Sequence, residues 1–432
     1  MRTSLQGIAN KAKADRKHRF QNLFGMIDKE MLLDSWNYLN KNAAWGVDKV
    51  SAQDYEQDLG DNIECLVESL KEKRYRAKLV RRQYIPKVNG KLRPLGIPAI
   101  EDKLLQCAVS RILQSIYEQE FLPSSFGYRE GMGARDAVKV LSDQLFFSRY
   151  RYVVEADIKG FFDHMSHEWI ERMLEERVDD QSLLWLIRKW LKAGVLDTDG
   201  TVILPEQGSP QGGIISPVLS NVYLHYALDL WFEKAVKPHC KGAAHLCRYA
   251  DDYVCLFEHK CDAEEFFQSL SARMGKFGLE LAPDKTKILR FSRFHLRDNA
   301  SFEFLGFVFR WGASRSGRTI VIRRTSPKKL RRALADLTEW CKKNRHLPLR
   351  RFFGILNAKL QGHYNYYGVI GNSISLQRYY RAALEIVYKW HNRRSQHRSK
   401  TWPGFREMLT YFKVPRPRIV ERLLKGEAAR LA

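Results

Sequence analysis

Apolar and polar positions alternate along this chain with two different periods. Residues 1–45 place Phe20, Leu23, Phe24, Ile27 and Met31 at helical spacing, which predicts a helical start. Gly46-Val47-Asp48 breaks that pattern, and Ser51 with Asp54 three residues on predicts a capped helix. Residues 55–78 continue as helix. Residues 84–98 predict a hairpin, with Asn89-Gly90 as its two-residue turn. Helices are expected over 101–120 and 134–147, with a Gly-rich loop at 123–135 between them. Residues 152–158 are a short apolar run that ends in Asp157. Residues 166–193 predict a helix, 196–203 a hairpin, and 217–236 a helix entered from the glycine-rich bend 207–213. The stretch 248–257 predicts two short strands around a tight acidic turn. A helix over 262–278 and a strand over 302–309, bent at Leu305-Gly306, follow. Beyond residue 322, Ser326-Pro327, Leu347-Pro348 and Ser373 mark the starts or separations of three helices. Interleaved strands and helices with a helical end predict a mixed α/β (α+β) protein.

At 432 residues the chain is long enough for more than one domain, and 44% hydrophobic content predicts a folded core. No apolar run is long enough to span a bilayer, and the basic start lacks a signal-peptide apolar segment, so no membrane association is expected. Seven cysteines without a CxxC pair argue against a disulfide framework or structural zinc, which fits a reducing cytosol. The net charge of +24 is concentrated: residues 323–432 hold 26 Lys and Arg against 6 Asp and Glu. A basic terminal domain predicts a grip on a polyanion. Its aromatics, including Trp340, Phe352, Phe353, Tyr364, Tyr379 and Trp390, predict a packed core. Anionic membrane is the weaker partner, because no lipidation motif or long basic amphipathic face is present.

The chemistry centres on carboxylates. Asp251 and Asp252 stand side by side between apolar strands, and their repulsion calls for a cation. A solvated Asp-Asp turn is the ordinary alternative, unless a further carboxylate stands on another buried strand. Asp157 supplies it. Two metal ions held by Asp157 and Asp251 would serve an in-line phosphoryl displacement. By period-two alternation Asp252 faces the other side and has a secondary role. Lys87 and Arg93 project from the hairpin arms, where ordinary surface charge competes with a triphosphate role. Gln211 offers a donor and an acceptor beside a helix start. Arg129 and Arg135 are candidate template-phosphate contacts. Lys285 is expected on the surface, with an approach to the metal site or the phosphates as the alternative. Asp197 and Asp199 belong to turn chemistry.

Tyr249-Ala250-Asp251-Asp252, the block at 153–163 and the block QGSPQGGIISPVLSN between them resemble a reverse transcriptase. More closely, they resemble the bacterial group II intron-encoded reverse transcriptase/maturase family. The resemblance implies a right-hand polymerase fold, with an antiparallel palm sheet, fingers and a helical thumb. It divides the chain into an N-terminal extension (1–50), fingers and palm (51–322) and a thumb or maturase X domain (323–432). It implies two Mg²⁺ ions on Asp157, Asp251 and Asp252 with the Ile158 carbonyl assisting. Lys87, Arg93, Phe161 and Gln211 would bind dNTP, with Phe161 as steric gate against the ribose 2′-OH and Phe162 as core. Arg129, Arg135, Leu305, Gly306, Arg393, Arg394 and Arg398 would bind primer and template, Gly306 by admitting primer backbone. The implied partners are an RNA template, a DNA or RNA primer, dNTPs and group II intron RNA. The implied location is the bacterial cytoplasm, associated with nucleoid or ribonucleoprotein. With no zinc-type cysteine pairs beyond the thumb, the family's His-Asn-His endonuclease module is expected to be absent. An RNA-binding splicing cofactor, or a domesticated or defence-associated reverse transcriptase, are the alternatives.

Overall fold

The computed structural model describes residues 4–86, 92–209, 211–295, 300–314, 316–393 and 400–421. The chain forms two compact units. One comprises Met1–Met132, Ala156–Tyr253 and Cys261–Lys287; the other comprises Gly133–Glu155, Val254–Lys260 and Ile288–Ala432. In chain order the strands are β1 (Val80–Pro86), β2 (Leu92–Ile97), β3 (Tyr152–Ala156), β4 (Val195–Leu196), β5 (Val202–Ile203), β6 (Ala244–Tyr249), β7 (Asp252–Phe257), β8 (Lys287–Arg290), β9 (Ser301–Phe304), β10 (Phe307–Ala313) and β11 (Thr319–Thr325). Among the described residues they form sheets of order β2-β1-β4-β5, β6-β7-β3-β8 and β11-β10-β9.

The first unit is built on the helix Ile100–Tyr117. Leu104, Leu105, Ala108, Val109, Ile112, Leu113 and Ile116 are all fully buried, so the helix is apolar on nearly every side and must be central. Helices Leu5–Ala14 and Lys29–Trp36 pack on it. The expected continuous helix through Phe20 does not form. Phe20 instead bridges Val178 in parallel, donating to the Arg177 carbonyl at 2.8 Å and accepting from Asp179 at 2.7 Å. Pairing of otherwise bare backbone outweighs helix propensity there. The Ser51–Asp54 capping box is present. β1 and β2 pair antiparallel from Arg81↔Ile97 to Pro86↔Leu92, and β4 adds to β1 in parallel. The expected helix over 166–193 is two helices, His167–Glu175 and Gln181–Leu191, because Asp180 caps the second at Ser182 and Leu183. The expected helix over 217–236 starts α-helical (Ser216–Leu224) and then widens into π-helical turns at His225–Asp229 and Phe232–Val236.

In the second unit the helix Ala134–Phe147 packs on β11. The expected bent strand over 302–309 is a hairpin: Phe304 pairs with Phe307, and Leu305 (φ 50°) and Gly306 (φ 78°) form its turn. Two consecutive left-handed residues match the right-handed twist of the strands. Helices Pro327–Asn344, Leu349–Tyr367 and Ser373–His391 start where the Pro and Ser signals predicted. Asn372 rather than Ser373 holds the cap position, because its side chain bonds Thr325. Leu337, Phe352, Phe353, Tyr364, Tyr379 and Phe405 form the core of this helical region, so its aromatics do pack inward. Among the described residues no helix is long and apolar enough to cross a membrane.

Candidate active site

β3 ends at Ala156, so Asp157 stands at a strand tip. Residues 280–282 pair with the segment just beyond it. Ile158 bridges Leu281, Lys159 donates to the Glu280 carbonyl, and Ala282 donates to the Asp157 carbonyl, both at 2.8 Å. With the flanking residues making those bonds, the Ile158 carbonyl points away from Leu281. The turn Pro283–Lys285 then brings the Lys285 ammonium to 2.6 Å from Asp157 Oδ2. The expectation of a surface lysine is half right: the side chain is largely exposed, yet its charge sits on the carboxylate.

The turn between β6 and β7 carries the other two carboxylates. Ala250 adopts φ 56°, left-handed for a residue with a Cβ. Asp251 is half-buried and Asp252 exposed. Burial pushes the Asp251 carboxyl above the ordinary range, and the charge of Asp157 adds to the push; Arg93 and Arg248 act the other way. Asp157, Asp251 and Arg93 therefore share one electrostatic neighbourhood. Burial also raises the hydroxyl of Tyr128, with Asp251 contributing next.

The glycine-rich bend joins the hairpin to the Asp157 turn. Gly96 of β2 donates to the Gln211 carbonyl at 2.6 Å, and Gly208 and Ser209 donate to the Met165 and Phe162 carbonyls at 2.7 and 2.8 Å. Gly212 has φ 113°, and a Cβ there would lie 2.6 Å from the Gly96 carbonyl oxygen, so only glycine fits. Gln211 is half-buried. The two phenylalanines are buried in the reverse of the expected order. Phe161 is 2% exposed and meets Phe162 and Tyr223 edge-on, whereas Phe162 is half-buried. Phe161 therefore presents almost no free face, and Phe162 presents more.

Other expectations divide. The Arg129 guanidinium is 6% exposed and is committed internally, to Glu118 at 2.9 Å and to the Leu122 and Ser125 carbonyls at 2.9 and 2.7 Å. It is a loop brace, not a template contact. Arg135 is half-buried in the first turn of its helix. Gly306 is required by its own φ and by the Tyr367 hydroxyl, 3.1 Å from where a Cβ would stand; the Leu305 carbonyl accepts from Tyr366 at 3.1 Å. Close approach at this glycine is to a helix of its own unit. Arg393 is exposed, over the Trp390 ring at 5.4 Å. Lys87, Arg394 and Arg398 lie outside the described residues. The sequence allowed Lys285 an approach to the metal site but favoured the surface; its ammonium stands on Asp157. One contact escaped sequence reasoning: Arg248, fully buried in β6 and paired with Asp229. Arginine between Cys247 and Tyr249 in an apolar strand, with a lone aspartate in an apolar helix, was the available signal.

Among the described residues no group of three His, Cys, Asp or Glu side chains is arranged to hold a metal. Asp157 and Asp251 offer two carboxylates. That set fits a hard divalent cation that takes its remaining oxygens from water and substrate phosphates. The ammonium on Asp157, and the part of the Asp251 shift that the Asp157 charge contributes, mark a place where positive charge is favourable.

Paired carboxylates at neighbouring strand ends, a basic hairpin and a glycine-rich loop define a nucleic-acid polymerase palm. Residues 85–309 match the reverse transcriptase (RNA-dependent DNA polymerase) family, and the chain belongs to it. The chain is 33% identical to protein YkfC of Escherichia coli strain K12 over 323 residues, 68% of this chain and 83% of that protein. It is 40% identical over 190 residues to the group II intron-encoded protein LtrA of Lactococcus lactis subsp. cremoris, 44% of this chain and 31% of LtrA. A nuclear intron maturase 4, mitochondrial, of Arabidopsis thaliana is 29% identical over 130 residues, 30% of this chain and 16% of that protein. The chain is an RNA-directed DNA polymerase that uses divalent metal ions and an RNA template.

Proposed function

We propose that this reverse transcriptase joins a primer 3′-OH to the α-phosphate of a dNTP with two Mg²⁺ ions on Asp157 and Asp251. The observation that carries it is the convergence of those two carboxylates in one neighbourhood with Arg93. Bound there, the ions would stabilise the attacking and leaving oxygens of an in-line displacement. The chain's own residues do the rest. Asp157 and Asp251 hold the cations, and the Ile158 carbonyl adds an oxygen. Arg93 presents a guanidinium fork to the triphosphate, with Lys87 as its partner charge. Gln211 reads sugar and base, and Phe162 shapes the ribose floor. Asp252 stands exposed and acts secondarily. Arg135 and the 305–306 turn serve template and primer. The divisions at residues 50 and 322 separate extension, fingers and palm, and thumb. The place of action is the cytoplasm, in a ribonucleoprotein.

Asp157→Asn and Asp251→Asn should each abolish primer extension on an RNA template, because losing such electrostatic stabilisation costs orders of magnitude in rate. Asp252→Asn should be milder. Full extension by either of the first two variants would sink the site; equal loss in all three would sink the ranking.

A second activity is supported by the charge of residues 323–432, 26 basic against 6 acidic. We propose that this region binds group II intron RNA and assists its splicing. If so, Asp251→Asn should keep intron RNA affinity and splicing while polymerisation is lost; loss of all three together would count against a separate maturase role.

A further inference from the structure

Under the Asp251 turn lies a buried polar network that the chemistry above does not use. Arg248 of β6 is wholly buried. Its Nε and Nη2 donate to the two oxygens of Asp229 at 2.7 and 2.5 Å, and its Nη1 donates to Asn221 Oδ1 at 3.0 Å and to the Ala250 carbonyl at 3.1 Å. Asn221 in turn donates to the Gly127 carbonyl at 2.7 Å. Gly127 lies so close to the turn that a Cβ on it would stand 2.3 Å from the Ala250 nitrogen. Ala250 is thus clasped from both sides: the guanidinium holds its carbonyl, and the Gly127 backbone presses on its amide.

The location matters more than the ion pair. A buried salt bridge is weak evidence for stability, since desolvation offsets most of its attraction. What this one touches is the residue before Asp251, held at φ 56°. A left-handed alanine costs about 1–2 kcal/mol and persists only when its surroundings over-determine it. That φ sets the direction in which the next side chain leaves the turn. The helix is shaped to the task as well. Asn221 and Asp229 are eight positions apart, an offset of roughly 80° around an α-helix. The π-helical turn His225–Asp229 adds residues per turn and takes up most of that offset, so both side chains reach one guanidinium.

We propose that Arg248, Asp229 and Asn221 are positioning residues that aim Asp251 at the cation by fixing the left-handed Ala250. The proposal rests on the assignment of Asp251 as a metal ligand. Outer-shell partners of ligating carboxylates generally cost 10–100-fold in metal affinity or activity when removed.

The test uses the full chain. Arg248→Lys keeps the charge and loses the fork. Asn221→Ala leaves the ion pair in place and loses only the link to Gly127 and one guanidinium bond, so it decides alone if Arg248→Lys fails to fold. Melting temperature, Mn²⁺ affinity by electron paramagnetic resonance, and kcat and KM for single-dNTP extension are measured, with Asp251→Asn alongside. Folded variants should show kcat and Mn²⁺ affinity each reduced about tenfold or more, with dNTP KM and primer–template affinity within about twofold of the parent. A lowered melting temperature with unchanged kcat and Mn²⁺ affinity would reduce the network to scaffolding and overturn the proposal. Asp251→Asn separates the two ideas: if it is inactive while the positioning variants are normal, the site stands and the positioning role falls. If Asp251→Asn extends normally, the site falls and the proposal with it.

Discussion

Single side chains decide most of this site, and Lys285 is the clearest case. Its ammonium stands 2.6 Å from Oδ2 of Asp157, one of the two carboxylates proposed to hold the metal. A competing cation weakens metal binding wherever the two cannot share a ligand. Lys285→Met should therefore tighten divalent-ion binding to the free protein, read by calorimetric titration; unchanged or weaker binding would mean the ammonium and the ion share Asp157. The phenylalanine pair gives a second test. Phe161 is core and Phe162 half-buried. Phe162→Ala should lower the dNTP-over-rNTP ratio in single-nucleotide extension. Phe161→Ala should chiefly destabilise the fold, by about 3–5 kcal/mol for a buried aromatic. The reverse ordering of the two ratios would return the gate to Phe161. The sequence expectation put the gate at Phe161 and placed Phe162 in the core; their burial runs the other way, because two adjacent phenylalanines look alike until their packing is known.

At the scale of elements, the hairpin, the glycine-rich bend and the helix Ile100–Tyr117 meet around a buried acid. Asp102 accepts from the Tyr75 hydroxyl and from the Lys78 amide, and Trp190 donates to Tyr75 at 2.8 Å. Burial raises the Asp102 pKa from 3.8 to about 6, against the pull of those hydrogen bonds. The sign of the stability effect follows. Below about pH 4 the acid is neutral folded and unfolded, and folding bears no penalty. Between about 4 and 6 the unfolded chain ionises first, and stability falls; above 6 the loss is constant at roughly 3 kcal/mol, from about two pKa units. Asp102→Asn has no such titration. The stability of the variant relative to the parent, from urea melts, should rise across pH 4–6.5 and then level off. A difference independent of pH would show that Asp102 titrates normally. Element boundaries were legible where punctuation was local: the Ser51 cap and the proline-led helices. The boundary was not legible at Phe20, where a distant backbone segment decided the outcome, and the local cap at Asp180 was passed over inside one long apolar pattern.

For the whole molecule, charge is the controlling quantity. Among the described residues, much of the basic excess of 323–432 sits on helices whose aromatics form their own core, and most of the Lys and Arg on those helices are exposed. A grip of that kind acts through phosphates and releases counterions. Replacing Arg393, Arg394 and Arg398 together by alanine should weaken many RNAs alike. It should also flatten the log–log salt dependence by about 0.7–0.9 per lost phosphate contact. Stacking losses would lower affinity without changing the slope. RNA affinity across a salt series, with helicity checked by circular dichroism, distinguishes them. Equal slopes and affinities would make this run a solvated face.

Local order in the chain was enough for the class of fold, the carboxylates and the basic terminal region. Strand period, turn residues and charge are properties of neighbours, and neighbours are written in the sequence. Asp157 at the end of an apolar run and Asp251 in an acidic turn became candidates together, since the acidic turn alone reads as an ordinary solvated turn. Tertiary structure alone decided what each charged group faces. Arg129 turned inward because Glu118 and two carbonyls waited for it, Lys285 turned onto Asp157 because residues 280–282 anchor its turn, and Arg248 was buried because a widened helix carried Asp229 and Asn221 to it. Each of these contacts joins residues that the backbone brings together only on folding, and the long flexible side chains involved carry no record of their partner in the local sequence.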